Sequence, residues 1–172
     1  RGITSSTNPT TNNFSQRTQI QPPVTIIQLQ IGLLAKAKSL QDDLREIAAN
    51  SNTSSPQGLQ KVLQETTLAL LRQPDLWVYS NAENGSVPFT ASESTFNRLS
   101  MSERSKLQAE ITSNVFGEIK TQINSTGEAD DSNEFIAVTL LIASKNSIKI
   151  PNTISTDQLK ECLQILGSIS SS

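Results

Sequence analysis

The side chains able to do bond-making chemistry are few and scattered along this chain. Among 172 residues there is no histidine and one cysteine, Cys162, so the group that most often serves as general base, metal ligand and pH switch near neutrality is missing. The chain shows no Gly-x-Ser-x-Gly elbow, no Ser-x-x-Lys in a convincing context and no glycine-rich phosphate loop. What remains are carboxylates. Glu65, Glu103 and Glu110 are the candidates for a hydrolase-like enzyme, which would have to gather them in a cleft with perturbed pKa values. Asp42, Asp43 and Glu46, and again Glu128, Asp130 and Asp131, form acidic clusters. Neither has the EF-hand loop spacing with its turn glycine and distal glutamate. No catalytic residue, metal or cofactor is therefore assigned.

Binding is easier to place than catalysis. Trp77 and Tyr79 lie two residues apart in a strand-like stretch and are expected to share a face. Such rings anchor partners because they bury a large area while keeping a polar tip; interior packing is the favoured reading. Glu103, Arg104 and Lys106, with Asn97 about two turns earlier, could form a charged docking surface, although a solvated helix face with weak local ion pairs is the plainer account. Cys162 falls in the apolar stripe of a helix, where it serves as a small buried hydrophobe rather than a reactive thiol.

The composition narrows the class further. A net charge of −2 and a pI near 5.2 argue against nucleic acid or an anionic membrane surface as partner, since both require clustered Lys and Arg. A lone cysteine cannot close an intramolecular disulfide, so a reducing or neutral compartment fits. No run of about eighteen apolar residues marks a spanning helix, and no signal peptide is visible. The first residue, Arg1, suggests excision from a longer protein. The expected organisation is a Ser/Thr/Asn-rich linker over residues 1–23, one domain over 24–167 and a polar tail over 168–172.

Positioning these residues requires elements that the periodicity outlines. Residues 24–34 alternate as a strand, with Ile27, Leu29, Ile31 and Leu33 on one parity and Gln28 and Gln30 on the other. An amphipathic helix follows from Ala35 to about Asn50, and a second from Pro56 to Arg72, its stripe formed by Leu59, Val62, Leu63, Thr66, Ala69 and Leu70. Ser55-Pro56 supplies its start, and Pro74 its stop. Leu76 to Tyr79 reads as a short strand with Asn84-Gly85 as a turn. Thr90 with Glu93, Ser100 with Glu103 and Ser155 with Gln158 have capping-box spacing, which predicts a kinked or two-part helix over 90–122. Residues 135–143, apolar on both parities, are expected mid-sheet. A turn at 145–147, a short edge strand at 148–150 and a final helix carrying Leu159, Cys162, Leu163 and Leu166 complete the chain.

The strings Ile31-Gly32-Leu33-Leu34-Ala35, Val62-Leu63-Gln64-Glu65, Leu68-Ala69-Leu70-Leu71-Arg72, Pro74, Trp77-Val78-Tyr79, Phe96-Asn97-Arg98-Leu99 and Glu103-Arg104-Ser105-Lys106 occur in this order. Together they resemble the light-acclimation family of cyanobacteria and chloroplasts, whose biochemical function is unknown. Leu76 and Leu107 depart from the aromatic residues that family tends to have there, conservatively for packing. The resemblance implies a domain tethered by an upstream membrane segment to the thylakoid or a related photosynthetic membrane, on the cytoplasmic or stromal side. It also implies a further strand downstream, whose absence would leave an open sheet edge prone to pairing with a second copy. No catalytic or ligand residues come with it.

The expected fold is α+β, an antiparallel sheet of three or four strands with four or five helices mainly on one face. The expected role is a non-catalytic regulatory or assembly domain that binds a membrane, stromal or cytoplasmic photosynthetic protein. A carboxylate-dependent enzyme and a structural spacer are the rivals.

Overall fold

Ile27, Leu29, Ile31 and Leu33, the odd positions of the first strand, are all fully buried, and the molecule is arranged around them. The computed structural model describes residues 20–106, 112–115, 118–121, 135–153 and 155–170; of the expected linker only residues 20–23 fall within these, and of the expected tail residues 168–170. Strand β1 spans Val24–Leu34 and is followed by helix α1, Lys38–Asn50, and helix α2, Pro56–Leu71. After a 3-10 turn at Pro74–Leu76 come strand β2, Trp77–Val87, and helix α3, Phe89–Ser105. Strands β3, Thr112–Val115, and β4, Glu118–Thr121, precede strand β5, Phe135–Ser144, and helix α4, Thr156–Gly167.

β2, β1 and β5 form an antiparallel sheet in that order, so β1 is central. The inner face is covered by α1, α2 and α4: Leu40, Leu70, Leu159, Cys162, Leu163 and Leu166 close over the odd residues of β1. Among the described residues the outer face carries α3 alone. This is the expected α+β class, with helices mainly on one side. Among the described residues no helix is long and apolar enough to cross a membrane.

Local chemistry explains the helix starts that form. The Ser55 hydroxyl accepts from the Gly58 amide at 3.1 Å with Pro56 at the first helical position, and Ser155 with Gln158 makes a reciprocal capping box on α4. The other two expected boxes do not form. α3 begins at Phe89 behind Pro88 with no side-chain cap, and runs through Ser100 without a break.

Five expectations are corrected. The predicted helix over 90–122 ends at Ser105, and Thr112–Val115 and Glu118–Thr121 instead pair as antiparallel strands; the β-branched Thr112, Val115, Ile119 and Thr121 favour extended chain over the helical spacing of Leu107, Ile111, Val115 and Ile119. Among the described residues β5 is not mid-sheet but an edge. Asn84-Gly85 is no turn: β2 continues through it, because pairing with Ile26 and Ile27 extends the ladder to Val87. Residues 148–150 form extended chain without ladder pairing, tied down where Asn84 Nδ2 donates to the Ile148 carbonyl at 3.3 Å. In α2, Leu59 points away from the core and is 53% exposed.

Candidate functional site

The outer face of the sheet is read from its register. Gln28 lies between Glu83 and Leu141, Gln30 between Asn81 and Thr139, and Gly32 between Tyr79 and Ala137. Two polar residues on a central strand would be costly under a packed helix unless bonded. Here they are bonded to a single carboxylate. Gln28 Nε2 donates to Glu103 Oε1 at 2.8 Å, and Gln30 Nε2 donates to Oε2 at 2.9 Å. The Thr139 hydroxyl donates to Oε2 at 3.2 Å, and Lys106 Nζ donates to Oε1 at 2.5 Å. The last turn of α3 is thus clasped to β1 and β5 through one side chain, while no α3 residue is fully buried.

Burial alone would raise the Glu103 pKa; the bonds from Lys106, Gln30 and Thr139, with the Lys106 charge, outweigh it and hold the carboxyl below its ordinary value. An acid held ionised by several donors is a poor proton acceptor and a good fastener. Of the other carboxylates named from the sequence, Glu65 is on α2 in the inner layer, 3.7 Å from Lys61, and Glu110 lies outside the described residues. The structure does not bring Glu65 and Glu103 together. Asp42 binds Arg45 at 3.1 Å, and among the described residues no group of three or more His, Cys, Asp or Glu could hold a metal. The cluster at Glu128, Asp130 and Asp131 is outside them.

One register step from the clasp, Tyr79 crosses the central strand. Its ring fills the space over Gly32, where an added Cβ would come within 2.0 Å of Tyr79 Cε1, and meets Phe135 edge to face with ring centroids 6.4 Å apart. Glycine inside a strand permits this close approach. Tyr79 is 50% exposed and Phe135 58% exposed, so two aromatic rings stand in solvent beside the clasp. Trp77 does not join them. A bulge between Gly32 and Leu33 pairs Leu33 with Trp77 and Gly32 with Tyr79, which sends the two rings to opposite faces. Trp77 packs against the core, its indole N–H buried without a partner, as is the Thr153 hydroxyl. Of the remaining sequence candidates, Asn97 and Arg104 lie exposed on α3, and Lys106 ends that helix.

A cavity of about 520 Å³ on the other side of β2 is lined by Trp77, Ser80, Asn81, Asn152, Thr153 and their neighbours. Apart from Tyr79 it presents no ionisable side chain, so nothing converges there for acid–base work.

Cys162 is fully buried between α4 and the sheet. Burial, and secondarily the charge of Glu161, pushes its thiol up to about 11 from 9.0. The fold therefore favours the protonated thiol. The stability this represents is fully present below pH about 9 and is lost as pH rises toward 11. Wild-type protein is expected to lose unfolding free energy across that interval more steeply than Cys162→Ala, and its thiol to react with an alkylating reagent at pH 8 only after denaturation. Equal slopes and prompt native labelling would place Cys162 at the surface.

Residues 23–172 match the family described as protein of unknown function DUF1517. The chain belongs to this family. It is 40% identical over 158 residues to protein FLAP1 homolog A of Synechocystis sp., covering 87% of this chain and 47% of that protein. It is 42% identical over 147 residues to the chloroplastic FLUCTUATING-LIGHT-ACCLIMATION protein 1 of Arabidopsis thaliana, covering 84% of this chain and 37% of that one. The chain thus spans less than half the length of these curated relatives. No solved structure matches it. The resemblance drawn from the ordered strings holds, and the setting of these DUF1517 relatives is photosynthetic.

Proposed function

We propose that this DUF1517 domain is a non-catalytic regulatory or assembly module that binds a protein partner through its outer sheet face during light acclimation. The observation that carries this reading is the exposed Tyr79–Phe135 pair, built across Gly32 beside the Glu103 clasp. Rings held in fixed geometry lose little entropy on binding and bury large area, which is the property of interface anchors. The named roles of the two relatives in acclimation to light supply the cellular context. Anchorage at the thylakoid, with the domain on the cytoplasmic or stromal side, is part of the same proposal.

The test is cross-linked capture from native photosynthetic membranes, comparing the wild type with Tyr79→Ser/Phe135→Ser. Both side chains are half exposed, so the variant is expected to fold and to recover the wild-type partners at least tenfold less well. Recovery of no partner by the wild type, or equal recovery by the variant, would reject this face.

A further inference from the structure

Two buried polar groups have no hydrogen-bond partner among the described residues, the indole N–H of Trp77 and the hydroxyl of Thr153. Both residues line the same cavity, the one of about 520 Å³ between β2 and the start of α4. Thr153 is 6% exposed, and a buried donor left unpaired carries the full cost of its lost hydration. Native proteins leave few such groups, and a cavity shared by two of them marks where a partner enters.

The walls of this cavity are tied in place. The extended chain over residues 148–153 is held to β2 at both ends: the Ser80 hydroxyl donates to the Thr153 carbonyl at 2.7 Å, and Asn84 Nδ2 donates to the Ile148 carbonyl at 3.3 Å. The reciprocal Ser155–Gln158 cap fixes the first turn of α4 beside it. Its volume falls in the range of about 300–1,000 Å³ typical of small-molecule sites. We propose that this cavity binds a neutral, polyhydroxylated small molecule of mono- or disaccharide size, with Trp77 and Thr153 as its buried donors.

The lining selects that chemistry. Among the described residues no Asp, Glu, Lys or Arg belongs to it, and Tyr79, its one ionisable member, has its ring over Gly32. A charged ligand would therefore enter with no counter-charge, at a high desolvation cost. The Trp77 indole only donates, so the ligand must offer an acceptor oxygen there. Asn81, Asn152 and Thr156 bring amides and a hydroxyl, which both donate and accept and so match hydroxyl groups of the same double capacity. Ala82 and the Trp77 ring add apolar surface for the C–H face of a sugar. The site is separate from the Glu103 clasp and neither requires nor supports the partner face proposed above.

Trp77 is the only tryptophan of the chain, so its indole N–H gives a single cross-peak in a proton–nitrogen correlation spectrum. The experiment follows that peak while the chain is titrated with glucose, galactose, maltose and sucrose at millimolar concentration, beside glucuronate and glucosamine as charged analogues. At least one neutral sugar is expected to move the peak saturably, and the charged analogues to bind about tenfold less well. Thr153→Val is expected to bind about tenfold more weakly at an unlowered melting temperature, whereas Thr153→Ser, which keeps the hydroxyl, stays within about threefold of the wild type. No saturable shift with any neutral sugar, charged analogues binding as tightly as neutral ones, undiminished binding by Thr153→Val, or an indole N–H that meets an ordered water only would each overturn the proposal.

Discussion

Leu29→Ala is expected to destabilise the domain by about 3–5 kcal/mol, the range for emptying a well-packed aliphatic site that cannot collapse. Leu29 is fully buried on the central strand, flanked by Ala82 on β2 and Leu140 on β5. It belongs to the same cluster as Leu159, Cys162 and Leu163 of α4. Strands on both sides and a helix layer above hold the backbone in place, so a cavity would persist. Against a total stability of about 5–15 kcal/mol such a loss is a large fraction. Urea denaturation would show it as a lower midpoint at unchanged slope. The control is Leu59→Ala, 53% exposed on α2, expected to shift stability by less than about 0.5 kcal/mol. A Leu29→Ala loss no larger than the control's would mean that the inner face is not the core.

Much of this inner layer could be read from residue spacing because one physical requirement dominates it. β1 must bury Ile27, Leu29, Ile31 and Leu33, and α4 must bury Leu159, Cys162, Leu163 and Leu166, so periods 2 and 3.6 appear undisturbed. β1 begins and ends where alternation predicts, and Ser55-Pro56 starts α2 as its chemistry requires. The outer layer follows no such rule. β5 looks like a central strand because it is apolar on both parities, yet Phe135 and Ala137 are exposed and, among the described residues, β5 pairs on one side only. β1, the true centre, carries polar Gln28 and Gln30 on its outer face. Apolar content reports burial of side chains; position in a sheet depends on backbone pairing, which distant segments decide.

The candidate site was visible in fragments. Glu103, Lys106 and Tyr79 all stood out by type, but nothing local shows that Glu103 is the shared acceptor for Gln28, Gln30 and Thr139, residues 75, 73 and 36 positions away. The bulge that separates Trp77 from Tyr79 leaves no mark in the sequence either, since a one-residue slip in a strand reverses every face after it. Phe135 was overlooked as a binding residue. Gly32, a glycine inside an otherwise apolar strand, was the signal that something large crosses there.

The same clasp makes the second large prediction. Glu103→Ala strands two glutamine amides and a hydroxyl that now donate to the carboxylate, and the loss is expected to be about 2–3 kcal/mol, in the range for hydrogen bonds to a charged group. Because α3 has no fully buried residue, the loss is expected to appear first as faster amide exchange in α3 while β1 and α4 keep their protection. The pH dependence follows from the depressed pKa. The ionised carboxylate contributes its full stability above the ordinary glutamate value of 4.5, and that contribution disappears as pH falls through the lower folded value. The gap in stability between the wild type and Glu103→Gln should therefore be constant near neutrality and shrink below pH 4.5. A triple change, Gln28→Leu/Gln30→Leu/Glu103→Leu, removes both glutamine donors and the acceptor together and should cost less than Glu103→Ala alone, since it leaves only the Thr139 hydroxyl and the solvent-exposed Lys106 ammonium to find other partners. If Glu103→Ala leaves α3 exchange unchanged and the gap is independent of acid, α3 is held by its apolar side chains and not by this carboxylate.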